Sequence, residues 1–347
     1  MNEVFLIKPD STSSQLADMI KAFDEVVSLN IVKLNQIPDL RNKKLVLAVE
    51  LNQIGYCKEI YDFISKLYER EKDCLQGSSA VLLVYSQSDL FTKEASQDIL
   101  FLLNRLGCEF MGHPVVEATL GLHNLQTWQK TMDASLEEIA RDLCKRLAVR
   151  FSKDVRQKNL NPQLSVLHAS SHETSNTLAL WNIIYEKLPD WSVTELHVEN
   201  GMVKDCRGCS FKECAHYSSQ QGCFYGGMMI EEIYPAIENS DVLIWLTPNY
   251  NDALSANLTA VINRITALYR KMTFYDKSIY AVIVSGNSGS DSLARQLIGA
   301  LCINKGFRLP PYFCMMETAN DPGAIKKVIN IEKKIEIFVK VMKEYLE

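Results

Sequence analysis

The second half of this chain alternates short apolar segments with longer amphipathic ones in a regular order. Segments of about four to eight residues that are apolar throughout are typical of strands buried on both faces. The predicted strands of this half are Leu164 to Ala169, Ser192 to Val198, Asp241 to Thr247, Ser278 to Ser285 and Leu309 to Met316. Buried strands of this kind favour a parallel sheet with helices on both of its faces.

Helical periodicity fills the segments between these strands. The predicted helices lie at Asn176 to Lys187, Met228 to Asn239, Ser255 to Tyr269, Ser290 to Lys305 and Pro322 to Leu346. Five strands in this alternation indicate an α/β domain with a doubly wound, flavodoxin-like parallel sheet.

The first half repeats the same alternation of strands and helices, with a smaller difference between apolar and polar segments. Its predicted strands are Glu3 to Lys8, Val26 to Leu34, Lys43 to Leu51, Ser78 to Ser86 and Glu109 to Glu117, and its helices lie near residues 14–24, 57–70, 93–106 and 135–150. When the two halves are aligned, Leu45 to Val49 matches Val242 to Leu246, and Leu82 to Ser86 matches Val282 to Gly286. The alternative to a repeated fold is a coincidence between generic α/β patterns. We predict two tandem five-stranded, flavodoxin-like domains.

A polar segment from Ser152 to Pro162 separates the two halves. We therefore expect one domain at residues 1–151, a linker at 152–163 and a second domain at 164–347. A chain of 347 residues with 47% apolar residues is large enough for two hydrophobic cores.

The charge of the chain argues against two classes of partner. The formal net charge is −5 and no long basic run is present, so neither nucleic acid nor a membrane surface is an expected partner. The first residues do not have the pattern of a secretory signal, and the apolar runs are too short to span a bilayer. We expect a cytoplasmic protein whose scattered cysteines are buried thiols, namely Cys57, Cys74, Cys108, Cys144, Cys302 and Cys314.

Three loops follow strands of the second half, at the sheet edge where open α/β sheets bind ligands. The loop from Ala169 to Thr177 is rich in hydroxyls and precedes a helix, so it is a candidate phosphate site or a simple helix cap. The loop from Thr247 to Asn251 brings a proline and an aromatic ring to the end of a buried strand. The loop from Ser285 to Gly289 contains glycines that allow backbone to approach a ligand, or that form an ordinary turn.

Four cysteines lie close together in the second half, at Cys206, Cys209, Cys214 and Cys223. Two cysteines separated by two residues direct both thiolates to one centre, which is the arrangement that holds zinc or an iron–sulfur cluster. His216 lies in the same segment as a further candidate ligand, although an exposed loop histidine is the commoner case.

The C-terminal half resembles the NAD(P)H-dependent FMN reductases of the flavodoxin-like superfamily, which include an iron–sulfur flavoprotein branch, over about residues 164–316. The family's first loop has the form G-S-P-R-x-x-G-N-T. Ser170, Asn176 and Thr177 match this loop directly, whereas its Gly, Pro and Arg positions are not kept. The second motif, T-P-x-Y before a helix that ends in D-R, is kept as Thr247-Pro248-Asn249-Tyr250, Ser255-Ala256 and Asn263-Arg264, with Asn in place of Asp.

The resemblance implies that the domain binds FMN and uses NAD(P)H as a co-substrate. It further implies hydride transfer through FMN to a flavin, a quinone or a similar small-molecule acceptor, with the chemistry on the cofactor rather than on protein acids and bases. The implied cofactor-binding residues are Ser170, His172, Ser175, Asn176, Thr177, Thr247, Pro248, Asn249, Tyr250, Asn251, Ser285, Gly286 and Asn287.

The cysteine run departs from the spacing of the iron–sulfur branch. That branch resembles C-x2-C-x2-C-x4–7-C, whereas Cys214 here comes two residues late and Cys223 follows it after eight residues. Three states stay open, namely a [4Fe–4S] cluster, zinc and free thiols in a structured loop. A cluster would make the protein an iron–sulfur flavoprotein electron carrier that takes electrons from a protein such as ferredoxin. A third reading of the whole chain is a flavin-free binding module.

The N-terminal half lacks most of this apparatus. Its first loop, Pro9 to Ser14, is rich in hydroxyls but carries Asp10, and Glu50 to Gln53 stands in place of Thr-Pro-Asn-Tyr. We interpret it as a degenerate copy that has lost flavin binding. Because FMN in the family commonly sits near a dimer interface, we expect either a homodimer or an intramolecular pseudo-dimer of the two domains.

Overall fold

The structure, a computed structural model, describes residues 3–170, 174–220 and 222–347. The chain divides into two compact units, Met1–Val155 and Arg156–Glu347, so the division falls inside the polar segment between the two halves. Among the helices in the described ranges, none has the length and apolar content needed to cross a membrane.

The N-terminal unit contains one five-stranded parallel sheet. Its elements are β1 (Val4–Ile7), α1 (Ser14–Asp24), β2 (Leu29–Ile31), β3 (Lys44–Leu51), α2 (Lys58–Tyr68), β4 (Ser79–Ser86), α3 (Thr92–Asn104), β5 (Val115–Ala118), α4 (Gln126–Gln129) and α5 (Leu136–Lys153). The strand order is β2-β1-β3-β4-β5.

The C-terminal unit contains a second five-stranded parallel sheet. Its elements are β6 (Gln163–His168), α6 (Asn176–Lys187), β7 (Ser192–His197), α7 (Phe211–Gln220), α8 (Tyr234–Asn239), β8 (Val242–Pro248), α9 (Ala256–Tyr269), β9 (Ser278–Ser285), α10 (Ser290–Leu297), β10 (Cys314–Thr318) and α11 (Ile331–Leu346). The strand order is β10-β9-β8-β6-β7, which corresponds strand for strand to the order of the first sheet.

This strand order is that of the doubly wound flavodoxin-like fold, so the predicted fold class is confirmed for both units. Every residue of β4 and of β9 is buried, as expected for central strands that are covered by helices on both faces. The edge strands β2 and β7 are mostly exposed. Low apolar contrast in edge strands explains why the β2 prediction, Val26 to Leu34, was longer than the observed Leu29–Ile31.

The last strand of each sheet begins later than the sequence indicates. Proline has no backbone N–H and cannot donate to a ladder, and Pro310 and Pro311 stand before β10. The predicted strand Leu309 to Met316 is therefore shortened to Cys314–Thr318. In the first sheet Pro114 stands directly before β5, which begins at Val115 instead of Glu109.

Two predicted helices contain π-helical turns, and two helices, α4 and α7, were not predicted. Met229–Ile233 and Ile298–Ile303 are π-helical and adjoin α8 and α10, respectively. The segment of clustered cysteines contains α7, where a loop was expected. The cysteine spacing indicated a ligand-binding loop there, although residues 211–220 also fit a short helix.

Candidate functional site

The loop after β6 carries a buried hydroxyl that has no hydrogen-bond partner. Ser170 is 5% exposed, and its Oγ has no hydrogen-bond partner among the residues that the structure describes. Ser175 caps α6, with its Oγ accepting a hydrogen bond from the backbone N–H of Leu178 at 3.3 Å, and Thr177 is buried in the first helical turn. The predicted residue His172 lies outside the described residues.

The Asn176 side chain braces the loop that follows β10. Its Nδ2 donates to the carbonyls of Ala319 and Asp321 at 3.2 and 2.9 Å, and its Oδ1 accepts from the N–H of Ile325 at 3.3 Å. This amide therefore ties the start of α6 to the far end of the sheet. The predicted cofactor contact of Asn176 stays a prediction beside this structural role.

The end of β8 carries a second buried hydroxyl. Thr247, the second-last residue of β8, is 0% exposed, and its Oγ1 makes no hydrogen bond to the described part of the chain. Strands β6 and β8 are neighbours, with His168 paired to Leu246, so Ser170 and Thr247 both follow this pair at one edge of the sheet. Unpaired buried hydroxyls are costly, which makes this edge a candidate for a polar ligand.

Asn249 fixes the turn that follows Pro248. Its Oδ1 accepts from the N–H of Asp252 at 2.8 Å, and its Nδ2 donates to the Ser288 carbonyl at 3.0 Å. Asn251 and Asp252 both have positive φ, at 55° and 57°. The turn leaves the Tyr250 side chain 55% exposed, which presents a flat aromatic face at the rim of the site.

The loop after β9 packs against the loop after β8. Gly289 has a φ of 95°, and a Cβ there would meet Asp252 Oδ1 at 2.0 Å, so only glycine fits. Ser285 is fully buried, with its Oγ 2.6 Å from Ser290 Oγ, and the Asn287 carbonyl accepts from the Thr318 hydroxyl at 3.1 Å. A Cβ at Gly286 would lie 2.9 Å from Asn320 Oδ1. The structure thus brings together the predicted residues of the second and third loops.

The cysteine segment is fastened to α9 by the Asn-Arg pair of the second motif. Asn263 Nδ2 donates to Asp205 Oδ1 at 2.8 Å, and Arg264 Nη2 donates to the Gly226 carbonyl at 3.0 Å. Arg264 is only 2% exposed. These contacts hold both ends of the segment that contains the four cysteines.

The four cysteines do not form a ligand group in this structure. Cys206 is exposed, and Cys209, Cys214 and Cys223 are partly buried. Arg270 Nε lies 3.1 Å from Cys214 Sγ and donates to it. Among the described residues, no group of three or more His, Cys, Asp or Glu side chains is arranged to hold a metal ion. Metal binding by these cysteines stays a prediction.

The structure also joins residues that the sequence did not connect. His168, the last residue of β6, stacks on His197, the last residue of β7, with ring centroids 4.6 Å apart and planes inclined by 6°. His168 Nε2 lies 3.1 Å from Glu195 Oε1, and its Nδ1 lies 3.0 Å from the Ser170 carbonyl. Two neighbouring parallel strands that both end in histidine bring these rings together. Predicting this contact from the sequence requires the register of the two strands.

The chemistry of this edge suits a phosphate together with a flat polar ring. Ser170 and Thr247 offer unpaired hydroxyls, and the first turn of α6 offers backbone N–H groups, which bind phosphate without a cationic side chain. The loops after β8 and β9 offer an exposed aromatic ring and close-packed backbone. This donor set fits FMN, although no contact with a cofactor is described.

Comparisons with known proteins agree with this assignment for the C-terminal unit. Residues 162–321 match the model of the NADPH-dependent FMN reductase family. No curated protein matches the sequence.

Solved structures with similarity to this chain have low sequence identity. RosB with the bound intermediate 8-demethyl-8-formylriboflavin-5'-phosphate is 13% identical, with a TM-score of 0.41 over 53% of this chain and 79% of its own. An NAD(P)H:quinone oxidoreductase from Methanothermobacter marburgensis is 14% identical, with a TM-score of 0.39 over 52% of this chain and 98% of its own. The apo form of an NADH:FMN oxidoreductase (EMOB) is 14% identical, with a TM-score of 0.37 over 54% of this chain and 91% of its own. The matched residues 162–321 lie within the C-terminal unit, and over them this chain is similar to the NADPH-dependent FMN reductase family.

Proposed function

We propose that the C-terminal unit binds FMN and acts as an NAD(P)H-dependent oxidoreductase. The observation that carries the proposal is the pair of buried hydroxyls, Ser170 Oγ and Thr247 Oγ1, which lie at the carboxyl ends of two neighbouring strands and have no partner among the described residues. A buried hydroxyl left unpaired costs about 1–3 kcal/mol, and a bound polar ligand removes that cost. The family match supports a flavin as the ligand.

In this proposal each of the three loops contacts a different part of FMN. The loop after β6, with Ser170, Ser175 and Thr177, would take the terminal phosphate, and His172 belongs to the same loop by sequence. The residues from Thr247 to Asn251 would run along the isoalloxazine and ribityl groups, and those from Ser285 to Asn287 would meet the other edge of the ring. Asn249 keeps the second and third loops at a fixed distance through its bond to Ser288.

In the proposed reaction the cofactor carries the redox chemistry, and the protein binds and orients it. Bound FMN would supply two-electron chemistry between NAD(P)H and a small acceptor, such as a flavin or a quinone. The chain's part is to hold the phosphate, to orient the ring and to leave one face open beside Tyr250, whose side chain is 55% exposed. No protein side chain needs to act as acid or base in this scheme.

A direct test is anaerobic reduction of the reconstituted protein. Protein that has been incubated with FMN and desalted should show flavin absorption, and that absorption should bleach when NADH or NADPH is added. Restoration of the absorption by added quinone or free flavin would identify the acceptor class. A desalted protein whose flavin absorption stays unchanged with both nicotinamides would contradict the reductase assignment.

We further propose that the N-terminal unit is free of flavin. In the aligned halves Glu50 takes the position of Thr247, and its carboxylate accepts hydrogen bonds from the N–H and the Oγ of Ser13, both at 3.0 Å. Ser13 caps α1 as Ser175 caps α6. The carboxylate therefore binds the helix start where a phosphate would bind, which supports the interpretation of a degenerate copy.

The partners of the protein follow from this proposal. We propose a small-molecule electron acceptor for the C-terminal unit, and either a homodimer or an intramolecular pseudo-dimer as its assembly. Sedimentation equilibrium of the full chain distinguishes these two assemblies, because a pseudo-dimer sediments as a monomer.

A further inference from the structure

His168 lies at the base of the loop that is proposed to hold the phosphate. It is the last residue of β6, two positions before Ser170, and it is 5% exposed. Its Nδ1 is 3.0 Å from the Ser170 carbonyl, and its Nε2 is 3.1 Å from Glu195 Oε1. Both ring nitrogens of this buried imidazole are thus in hydrogen-bonded contact.

Both partners of His168 are acceptors when Glu195 is ionised. A carbonyl oxygen only accepts, and so does a carboxylate. A neutral imidazole has a single N–H and can satisfy only one of these partners, whereas an imidazolium donates to both. The geometry around His168 therefore accommodates the protonated ring, with an acceptor at each nitrogen.

The groups around the His168 ring shift its pKa in opposite directions. Burial lowers the pKa of His168 most, the Glu195 carboxylate and the Ser170 carbonyl act to raise it, and the stacked His197 acts to lower it, with a net pKa below the ordinary value. His197 Nδ1 lies 3.5 Å from Glu199 Oε1, and its Nε2 is buried without a partner. Because these influences compete, one more anion near the ring shifts the balance towards the charged form.

The loop beside His168 is short of positive charge. From Ala169 to Glu186 the sequence contains no lysine or arginine. A phosphomonoester carries about −1.5 to −2 charges at neutral pH. The imidazole of His168 lies against Ser170 and carries a positive charge there when it is protonated.

We propose that His168 is a positioning residue for the cofactor phosphate, protonated when the phosphate is bound, and that it holds the Ser170 backbone while adding positive charge beside the loop. This inference rests on the proposed FMN site. On binding, His168 takes up one proton from solvent, and the Glu195 carboxylate remains its counter-ion.

The sign of the pH dependence follows from linkage. The pKa of His168 in the free protein lies below the ordinary value, and the bound phosphate raises it. The contribution of His168 to FMN affinity is then fully present below the free-state pKa and is lost as pH rises through the bound-state pKa. Riboflavin has no phosphate, so its affinity should not carry this dependence.

The experiment titrates apo-protein with FMN and with riboflavin across the pH range from mildly acidic to mildly alkaline, for wild type and for His168→Asn. The ratio of the FMN dissociation constants of His168→Asn and wild type cancels the effect of phosphate ionisation, because that effect is the same in both proteins. We expect His168→Asn to bind FMN about tenfold more weakly at the acidic end, the order of one partly buried charge interaction, and equally at the alkaline end. Glu195→Gln should weaken FMN binding in the same direction, and His123→Asn, in the other unit, should not.

A second readout keeps the test independent of whether His168→Asn folds well. Nitrogen NMR of the wild-type histidines, recorded with inorganic phosphate and then with FMN, should show one imidazole becoming protonated on binding. A wild type that binds FMN with a pH-independent ratio and no change in histidine protonation overturns the role of His168 and leaves the FMN site standing. A wild type that binds no FMN at any pH overturns the proposed function itself.

Discussion

The Glu50 carboxylate accepts two hydrogen bonds from Ser13, one from the backbone N–H and one from the hydroxyl, both at 3.0 Å. The same Ser13 Oγ accepts from the N–H of Leu16 at 3.2 Å. An acidic side chain from the end of β3 thus completes the start of α1. In the C-terminal unit Thr247 takes the corresponding position near the end of β8, and its hydroxyl has no partner among the described residues.

Replacing Glu50 should therefore expose an anion site in the N-terminal unit. We expect Glu50→Ala to lower the free energy of unfolding by about 1 kcal/mol, because the capping contacts at α1 are lost. Inorganic phosphate should restore part of that loss in Glu50→Ala and should not stabilise this unit in the wild type. The measurement is urea unfolding with and without phosphate, followed by a probe in the N-terminal unit.

Glu69→Ala is the matched control, since Glu69 is exposed and caps the end of α2 only through its backbone. It should change stability by less than about 0.5 kcal/mol. Equal losses in the two variants, or no effect of phosphate on Glu50→Ala, would show that Glu50 does not stand in for an anion.

Thr247→Val should separate stability from cofactor binding. Valine keeps the shape of threonine and removes a buried hydroxyl that has no partner, so the apo-protein should be as stable as the wild type or up to about 1 kcal/mol more stable. Because a bound cofactor would pair this hydroxyl, FMN and riboflavin should both bind about tenfold more weakly.

Ser170→Ala should weaken the binding of FMN and leave the binding of riboflavin, which has no phosphate, unchanged. Chemical denaturation and flavin fluorescence measure the two effects.

Ser165→Ala provides the contrast in the same strand as His168. Ser165 is buried, but its Oγ donates to the Ala236 carbonyl at 3.1 Å. Its loss should cost about 1 kcal/mol of stability and leave flavin affinity unchanged. If Thr247→Val instead loses stability and keeps its flavin affinity, the hydroxyl belongs to the core and not to the site.

Asn176 should act through the structure of the loops. Asn176→Ala removes the donor to the carbonyls of Ala319 and Asp321 and the acceptor of the Ile325 N–H. We expect a loss of about 2 kcal/mol, because buried backbone groups are left unpaired. Thermal unfolding measures it, and Asn182→Ala, on the exposed side of α6, is the control that should change little.

The cysteine segment makes a prediction about iron. If the four cysteines hold a [4Fe–4S] cluster, anaerobically purified protein contains iron and sulfide, and Cys206→Ser with Cys209→Ser removes both while FMN stays bound. Free thiols are the outcome if wild-type protein contains neither iron nor zinc. Elemental analysis of the same sample with thiol titration separates the three states, and iron retained in the double variant would contradict these ligands.

The parallel, helix-covered sheet of each unit was predictable because it depends on local patterns. Runs such as Leu45 to Val49 and Val242 to Leu246 are apolar throughout, and only a sheet covered on both faces buries them. Strand ends were less predictable, since the alternating apolar residues continue through Pro310 while the ladder begins only at Cys314.

Contacts between residues far apart in sequence could not be predicted in this way. The loops after β8 and β9 were recognisable from Thr247-Pro248-Asn249-Tyr250 and from the glycines near Ser285. The stacking of His168 on His197 depends on the register of β6 and β7, and the Glu50–Ser13 contact depends on a side chain that reaches across β3 to α1. Neither register nor side-chain reach is encoded in a local pattern.

The most direct test of the account is the number of FMN molecules that one chain binds. Apo-protein titrated with FMN, followed by the visible spectrum and by equilibrium dialysis, should saturate at one FMN per chain, with binding weakened in Thr247→Val and kept in Glu50→Ala. Saturation at two FMN per chain would contradict the flavin-free N-terminal unit. A chain that remains colourless after dialysis from excess FMN would contradict the central claim that the C-terminal unit is a flavin site.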